Sequence, residues 1–274
     1  MAPETKSLGI CGDQYHLSQD QIAFFKENGY LHLRTVLTEE ELKALEPIYN
    51  KFINGEVESA VADTSDVTGA TEGKPIENFA GIIVVGPHRH STELRNHVYE
   101  KRANHIADQL AGVPTGFDMD RFLAKKPRAT KAEFKWHQDE IYLSDPSGKP
   151  ADFPKYETLI LTVELDDTSV ENGCIRYVAG SHKEDKLRDH VLSYPNIKPT
   201  TVTVSETVVD ESKENVIILP VKRGDMIIHT DRTLHRSGGN NSDRFRRCYV
   251  MHFCPKSIIE QRTKLGISHS LKEN

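Results

Sequence analysis

No stretch of this 274-residue chain stays apolar for the roughly 18–20 positions a membrane span requires. The amino terminus, Met1-Ala-Pro-Glu-Thr-Lys6, lacks the apolar core of a secretory signal, and the carboxyl end lacks a Ser-Lys-Leu peroxisomal address. These absences predict an intracellular, cytoplasmic protein with no membrane partner. Cysteine is scarce: Cys11, Cys174, Cys248 and Cys254 form no Cys-x-x-Cys pair, which excludes a zinc knuckle and a dithiol redox motif. Reduced, mostly buried thiols are the expectation. Excess basic charge is also missing, since the formal net charge is −6, and a nucleic-acid surface needs a clustered basic face. Tryptophan occurs once, as Trp136.

What remains is a chain with 37% hydrophobic residues, long enough for a sizeable core. The first third has helical punctuation. Ser18 and Gln21 have capping-box spacing, Ile22, Phe24 and Phe25 give an apolar side, and Gly29 marks the stop. Thr38 and Glu41 repeat the box, with Leu37 and Leu42 placed as a hydrophobic staple. Leu42, Leu45, Ile48, Tyr49 and Phe52 then share one helical face. A short strand is expected at 30–34, a third helix over about 93–110, and a loop over 61–74, which is rich in Thr, Ser, Gly and Asp.

From Phe117 the pattern changes to short β-like runs, near 119–124, 134–137, 158–165, 174–178, 216–219, 226–229 and 246–253. Glycine and proline turns separate them, 192–214 is a long polar excursion, and 258–265 reads as a final helix. Many short strands with flanking helices predict a mainly β sandwich or barrel. No internal repeat is visible, so 1–274 is expected to form one domain: helical over about 18–115, a β core over about 117–255, and a tail over 256–274.

The most informative residues are Trp136-His137-Gln138-Asp139, with His235 far downstream. Alternate residues of a strand point to the same side, so His137 and Asp139 can converge on one metal. Two imidazoles and one carboxylate bind one face of a ferrous ion and leave the other open. With 13 His and 41 acidic residues, the bare spacing has little weight, and its flanks carry the argument. Ser237 lies two residues after His235. If the strands at 226–229 and 246–253 are neighbours joined by the Gly-rich turn, Arg246 starts the strand beside the ligand, where a guanidinium can grip a carboxylate bidentately. Along that strand Arg246, Cys248, Val250 and His252 share one face while Arg247, Tyr249 and Met251 share the other.

Five stretches together resemble the phytanoyl-CoA dioxygenase family of iron(II)- and 2-oxoglutarate-dependent oxygenases. They are Phe122 to Pro127, Trp136 to Asp139, Leu165 to Ile175 with Ala179 to His182, Arg223 to Asp225, and His235 to Arg246, within a match over about residues 18–255. The resemblance implies a double-stranded β-helix core of the jelly-roll kind. It implies Fe(II) held by His137, Asp139 and His235, with 2-oxoglutarate and dioxygen as co-substrates. Arg246 and Ser237 correspond to the residues that receive the far carboxylate of 2-oxoglutarate, and Thr162 to a side chain near it. The implied reaction hydroxylates a C–H bond of a small organic molecule, yielding succinate and carbon dioxide. Related halogenases lack the carboxylate ligand, and Asp139 keeps this chain with the hydroxylases. Arg236 departs from the family's pattern after the last histidine and is expected to point away from the metal.

Other residues have plainer expected roles. His229 and His252 either approach the site or, the favoured expectation, are satisfied interior histidines. Asn172-Gly173 is expected to be a simple turn, and Trp136 core on the face opposite His137. Lys135 has the parity of His137 and should share its side unless a bulge intervenes, which makes it a candidate substrate contact or a rim residue. Glu140, Tyr142, Asn78 and Phe79 are further candidate substrate contacts. Two rivals differ in class: a catalytically silent binding module of the same fold, and a zinc-dependent hydrolase on the same ligands.

Overall fold

A computed structural model describes residues 9–69, 73–95, 97–143, 155–192 and 205–266. Helix α1, Gln19–Asn28, starts where Ser18 accepts from the Gln21 amide while Gln21 reaches back to the Ser18 amide. It ends at Gly29, which takes φ 76° and sits where a Cβ would lie 2.4 Å from the His182 ring. Only glycine suits both demands. Strand β1, Tyr30–Leu33, follows at once. Helix α2, Glu39–Ile53, carries the same reciprocal cap through Thr38 and Glu41. Each cap contributes about 1 kcal/mol.

The core strands continue with β2 Thr64–Asp66, β3 Gly81–Val85, β4 Thr115–Lys125, β5 Phe134–His137, β6 Leu159–Glu164 and β7 Ile175–Val178. Then come β8 Val216–Leu219, β9 Met226–Thr230, β10 His235–Ser237 and β11 Arg246–Pro255. They form a seven-stranded sheet, ordered β1-β9-β6-β11-β4-β3-β2, and a four-stranded sheet, ordered β8-β7-β10-β5. Every pairing in both sheets is antiparallel. The result is a double-stranded β-helix with helices against one side.

Strand alternation assigns the two faces of the large sheet. Phe122, Leu161, Val163, Tyr249 and Met251 join the main core with Leu42, Leu45, Tyr49 and Phe52 of α2. Helix α3, Val98–Ala111, adds Tyr99, Ala103, Ile106 and Leu110. Full burial of each large side chain is worth about 1.5–3 kcal/mol. Two tyrosine hydroxyls pin helices to strand carbonyls: Tyr49 donates to Leu123 at 2.7 Å, and Tyr99 to Leu161 at 2.7 Å. The opposite face, carrying Thr162, Arg246, Cys248, Val250 and Lys125, lines a cavity facing the small sheet. The last helix, α4 Lys256–Lys264, is anchored by Arg262, whose guanidinium pairs with buried Asp118 at 2.6 Å.

Three expectations about local structure need correction. Residues 61–74 are not simply a loop: a 3-10 turn, Glu58–Asp63, leads into β2. That strand is polar yet buried because Asp66 accepts from the amides of Thr68, Ala80 and Gly81 and pairs with Lys74 at 2.6 Å. The third helix begins at Val98 rather than near 93, with the His97 imidazole accepting from the Tyr99 amide. Finally, β9 and β11 are not neighbours, because β6 lies between them. After β9 the chain crosses to the small sheet as β10 before returning as β11, so the ligand-bearing strand and the arginine-bearing strand belong to different sheets. Part of the polar excursion at 192–214 lies outside the described residues. No helix among the described residues is long and apolar enough to cross a membrane.

Candidate metal centre and co-substrate pocket

His137 ends β5 and His235 begins β10, and the two are directly paired across the small sheet. Their ring centroids are 4.1 Å apart. Asp139 follows two residues after His137, while the intervening Gln138 turns the other way. Its amide group bonds the Arg232 carbonyl at 2.7 Å and the Arg188 amide at 3.0 Å, fixing the turn. One ligand atom from each of His137, Asp139 and His235 lies within 4.8 Å of the others.

The hydrogen bonds determine which ring nitrogen of each histidine carries the proton. His137 Nδ1 lies 2.6 Å from the Lys135 carbonyl, and His235 Nδ1 lies 2.9 Å from the Thr233 carbonyl. A carbonyl only accepts, so both Nδ1 atoms carry the proton. Both Nε2 atoms therefore turn lone pairs toward Asp139, each 3.7 Å from a carboxylate oxygen. Acceptors facing acceptors in a buried site repel one another, and a cation among them removes the conflict. Burial, then the neighbouring His235, pushes the His137 imidazole down to about 4. Burial and His229 do the same to His235. Burial alone would raise the Asp139 carboxyl, but His235, His229 and His137 hold it well below the usual carboxylate range. Near neutral pH the trio thus offers two neutral imidazoles and one carboxylate, the donor set suited to Fe(II).

His229 is the satisfied interior residue expected, and it also belongs to this site. Its Nε2 lies 3.3 Å from Asp139 Oδ2, and its Nδ1 3.0 Å from the Tyr177 hydroxyl. A carboxylate only accepts, so Nε2–H donates to Asp139 while Nδ1 bonds the Tyr177 hydroxyl, and this chain orients Asp139. His252 also lines the cavity rather than resting satisfied, and its Nδ1 has no hydrogen-bond partner.

On the large sheet, the Arg246 guanidinium reaches Ser237 Oγ at 2.5 Å and Glu164 at 2.6 Å. Arg247 faces outward to Asp166 and Glu46. The Gly173 carbonyl accepts from both Ser237 and Arg246, so Asn172-Gly173 is more than a turn. A Cβ on Gly173 would lie 2.0 Å from the Gly238 carbonyl oxygen, which requires glycine there. Thr162 lines the same cavity beside Val250 and Ile227. Arg236 turns away from the cavity toward Glu133 and Glu211, with its guanidinium 5.9 Å from the Trp136 ring centroid.

Several candidate substrate contacts lie elsewhere. Between the His235–His137 and Ser237–Phe134 pairs, β5 holds one residue more than β10. This bulge reverses the parity: Phe134, not Lys135, lines the cavity, and Lys135 pairs with Glu133 at 2.5 Å on the rim. Glu140 pairs with Arg232 at 2.9 Å and does not line the cavity. Phe79 is packed in the main core, and Asn78 beside it is exposed outside the cavity. The Tyr142 side chain lies outside the described residues. Residue-level reasoning missed Lys125 and Glu164. Lys125 directly opposes Arg246 across β4 and β11, and its parity with Leu123 would have placed it inward.

A buried two-histidine, one-carboxylate trio inside a double-stranded β-helix, facing an arginine and a serine, defines the class of 2-oxoglutarate-dependent iron oxygenases. Within that class the chain belongs to the phytanoyl-CoA dioxygenase (PhyH) family, whose model matches residues 25–248. It is 25% identical over 271 residues to the phytanoyl-CoA dioxygenase domain-containing protein 1 of Bos taurus, covering 86% of this chain and 89% of that one. Among solved structures it resembles the non-haem alpha-ketoglutarate-dependent carbocyclase SnoK of nogalamycin biosynthesis. That match has TM-score 0.64 and 26% identity over 87% of this chain and 84% of the other. It also resembles EvdO2 of Micromonospora carbonacea var. aurantiaca, crystallised with 2-oxoglutarate. There the TM-score is 0.68 and the identity 22%, over 90% of this chain and 94% of that one.

Proposed function

We propose that this chain, acting as a single domain, is an Fe(II)- and 2-oxoglutarate-dependent dioxygenase that hydroxylates a C–H bond of a small organic substrate, releasing succinate and carbon dioxide. The observation that carries this reading is the pair of Nε2 lone pairs aimed at the Asp139 carboxylate, with Arg246 and Ser237 in the same cavity. Bound Fe(II) and 2-oxoglutarate supply the capacity to activate dioxygen for attack on an unactivated C–H bond. The protein's own residues supply position, charge and dryness.

His137, Asp139 and His235 would hold the metal, and the His229 hydrogen bond keeps the Asp139 carboxylate oriented among them. Arg246 and Ser237 would receive the far carboxylate of 2-oxoglutarate, and Thr162 lines the same cavity. Phe134 and Ile175, each paired with Ser237 across the small sheet, line the cavity at the arginine end and keep it apolar around the co-substrate carboxylate. Ile83, Leu123, Ile160, Ile227 and Val250 also line the cavity and make it mostly apolar, as a site for a small organic substrate requires.

Succinate release tests the reading. The wild-type protein with Fe(II), ascorbate, dioxygen and 2-oxoglutarate should release succinate even without substrate, and Asp139→Ala should release none. Absence of succinate from the wild type would favour a silent binding module. Hydrolytic activity with zinc and no dioxygen would favour a hydrolase.

A further inference from the structure

Two buried cations converge on one hydroxyl group. Ser237 Oγ lies 2.5 Å from Lys125 Nζ and 2.5 Å from the Arg246 guanidinium, and it donates its own proton to the Gly173 carbonyl at 2.8 Å. Lys125 is 5% exposed and Arg246 6%. Their anionic partners differ. Arg246 has Glu164, fully buried and 2.6 Å away. Lys125 has only neutral acceptors, the Gly238 carbonyl at 2.5 Å and the Ser237 carbonyl at 3.3 Å, with the Phe134 ring centroid 5.4 Å off. None of the described carboxylates lies within ion-pair distance of it.

This sets the charge at that end of the cavity. The Arg246–Glu164 pair is neutral as a unit, so the guanidinium offers shape and hydrogen-bond direction but no net positive charge. The uncompensated charge belongs to Lys125. An isolated buried ammonium is unfavourable until an anion joins it. Burial and the nearby Arg246 accordingly push its pKa well below the usual lysine range.

We propose that Lys125 is a second cation for the far carboxylate of 2-oxoglutarate, and that it supplies the net charge that selects a 2-oxo diacid over a 2-oxo monoacid. This rests on the reading that 2-oxoglutarate binds at Arg246 and Ser237. The division of labour follows from the side chains: the planar guanidinium orients the carboxylate, while the ammonium acts as a point charge. Glu164 keeps the empty pocket from holding two adjacent uncompensated cations.

The test is calorimetric titration of the Mn(II)-loaded protein with 2-oxoglutarate and with 2-oxobutanoate, which lacks the far carboxylate. Lys125→Met should weaken 2-oxoglutarate binding by about 10- to 100-fold, the range for one charge-assisted hydrogen bond. It should leave 2-oxobutanoate binding unchanged. Lys125→Gln keeps a donor for Ser237 without the charge and should fall with Lys125→Met, which separates charge from mere support of Ser237. Melting temperatures of the ligand-free variants should equal or exceed the wild type, since an uncompensated charge is removed. If the wild type binds the diacid no better than the monoacid, the assignment of the Arg246 pocket to 2-oxoglutarate fails. If the wild type prefers the diacid and either folded variant keeps that preference, the role of Lys125 alone is overturned.

Discussion

Replacing His252 by leucine should flatten the acid sensitivity of this fold by an amount the structure sets. His252 is 1% exposed on the cavity side of β11, its Nδ1 is unpartnered, and Arg121 opposes its protonation. Burial first, then Arg121, pushes the imidazole down to about 3. In the unfolded chain it returns to about 6.5. Between those values the unfolded state holds a proton that the folded state refuses, so stability is whole above pH 6.5 and declines as the pH falls. At pH 5 the difference of about 1.5 pH units from the unfolded pKa corresponds to about 2 kcal/mol. His137 and His235, each pushed down to about 4, add losses of the same sign, but these are common to both proteins and cancel on subtraction. The assay is urea unfolding of the metal-free wild type and His252→Leu at pH 7.5 and pH 5.0. The wild type should lose about 2 kcal/mol more than the variant between the two conditions. Equal losses would refute the reasoning, because His252 would then titrate alike in both states.

Phe79→Ala should cost about 3–5 kcal/mol of unfolding free energy. It should leave 2-oxoglutarate-dependent succinate release intact at temperatures where the variant stays folded, since Phe79 sits in the main core and not in the cavity. A loss of activity at unchanged stability would restore it as a substrate contact. Lys135→Ala keeps the carbonyl that accepts from His137 and removes only a rim ion pair with Glu133, so stability should shift by less than about 1 kcal/mol. Succinate yield should not change, and a sharp fall in it would place the ammonium group in the reaction.

The sequence made legible what repeats on a short period. Both capping boxes, the α2 face, most core strands and the alternation on β11 that separates Arg246 from Arg247 follow from local spacing. Long-range register was hidden. Lys125 and Arg246 are paired across strands distant in the chain, and Glu164 joins them through the row in which it faces Cys248. The parity of Lys135 failed for a local reason, one extra residue in β5, which no composition or period announces. The polar strand β2 was unreadable because its burial depends on Asp66 binding amides near residue 80. His229 is the interior, fully bonded histidine its type suggests, whereas His252 keeps an unpartnered Nδ1. That both also face the site depends on the opposite sheet bringing a carboxylate or a cavity to them.

The chemistry is divided between the two sheets, and this division decides which distant residues matter. The candidate ligands lie on the small sheet or just after it: His137 on β5, Asp139 following it, and His235 on β10. Arg246, Thr162, Glu164 and Lys125 belong to the large sheet. A co-substrate held at one end by the trio and at the other by Arg246 has to span both. Ser237 couples the halves at the arginine end, because it sits on β10 with the ligands yet bonds Arg246 and Lys125 across the gap, as the Tyr177–His229–Asp139 chain does at the ligand end. The strands that carry the arginine end are backed by the main core, where the Tyr49 and Phe122 rings meet at a tilt with centroids 4.3 Å apart. Displacement of a reacting group by on the order of 1 Å can cost about 100-fold in rate. A core change that slides β11 along β4 can thus disable the site while every ligand remains present.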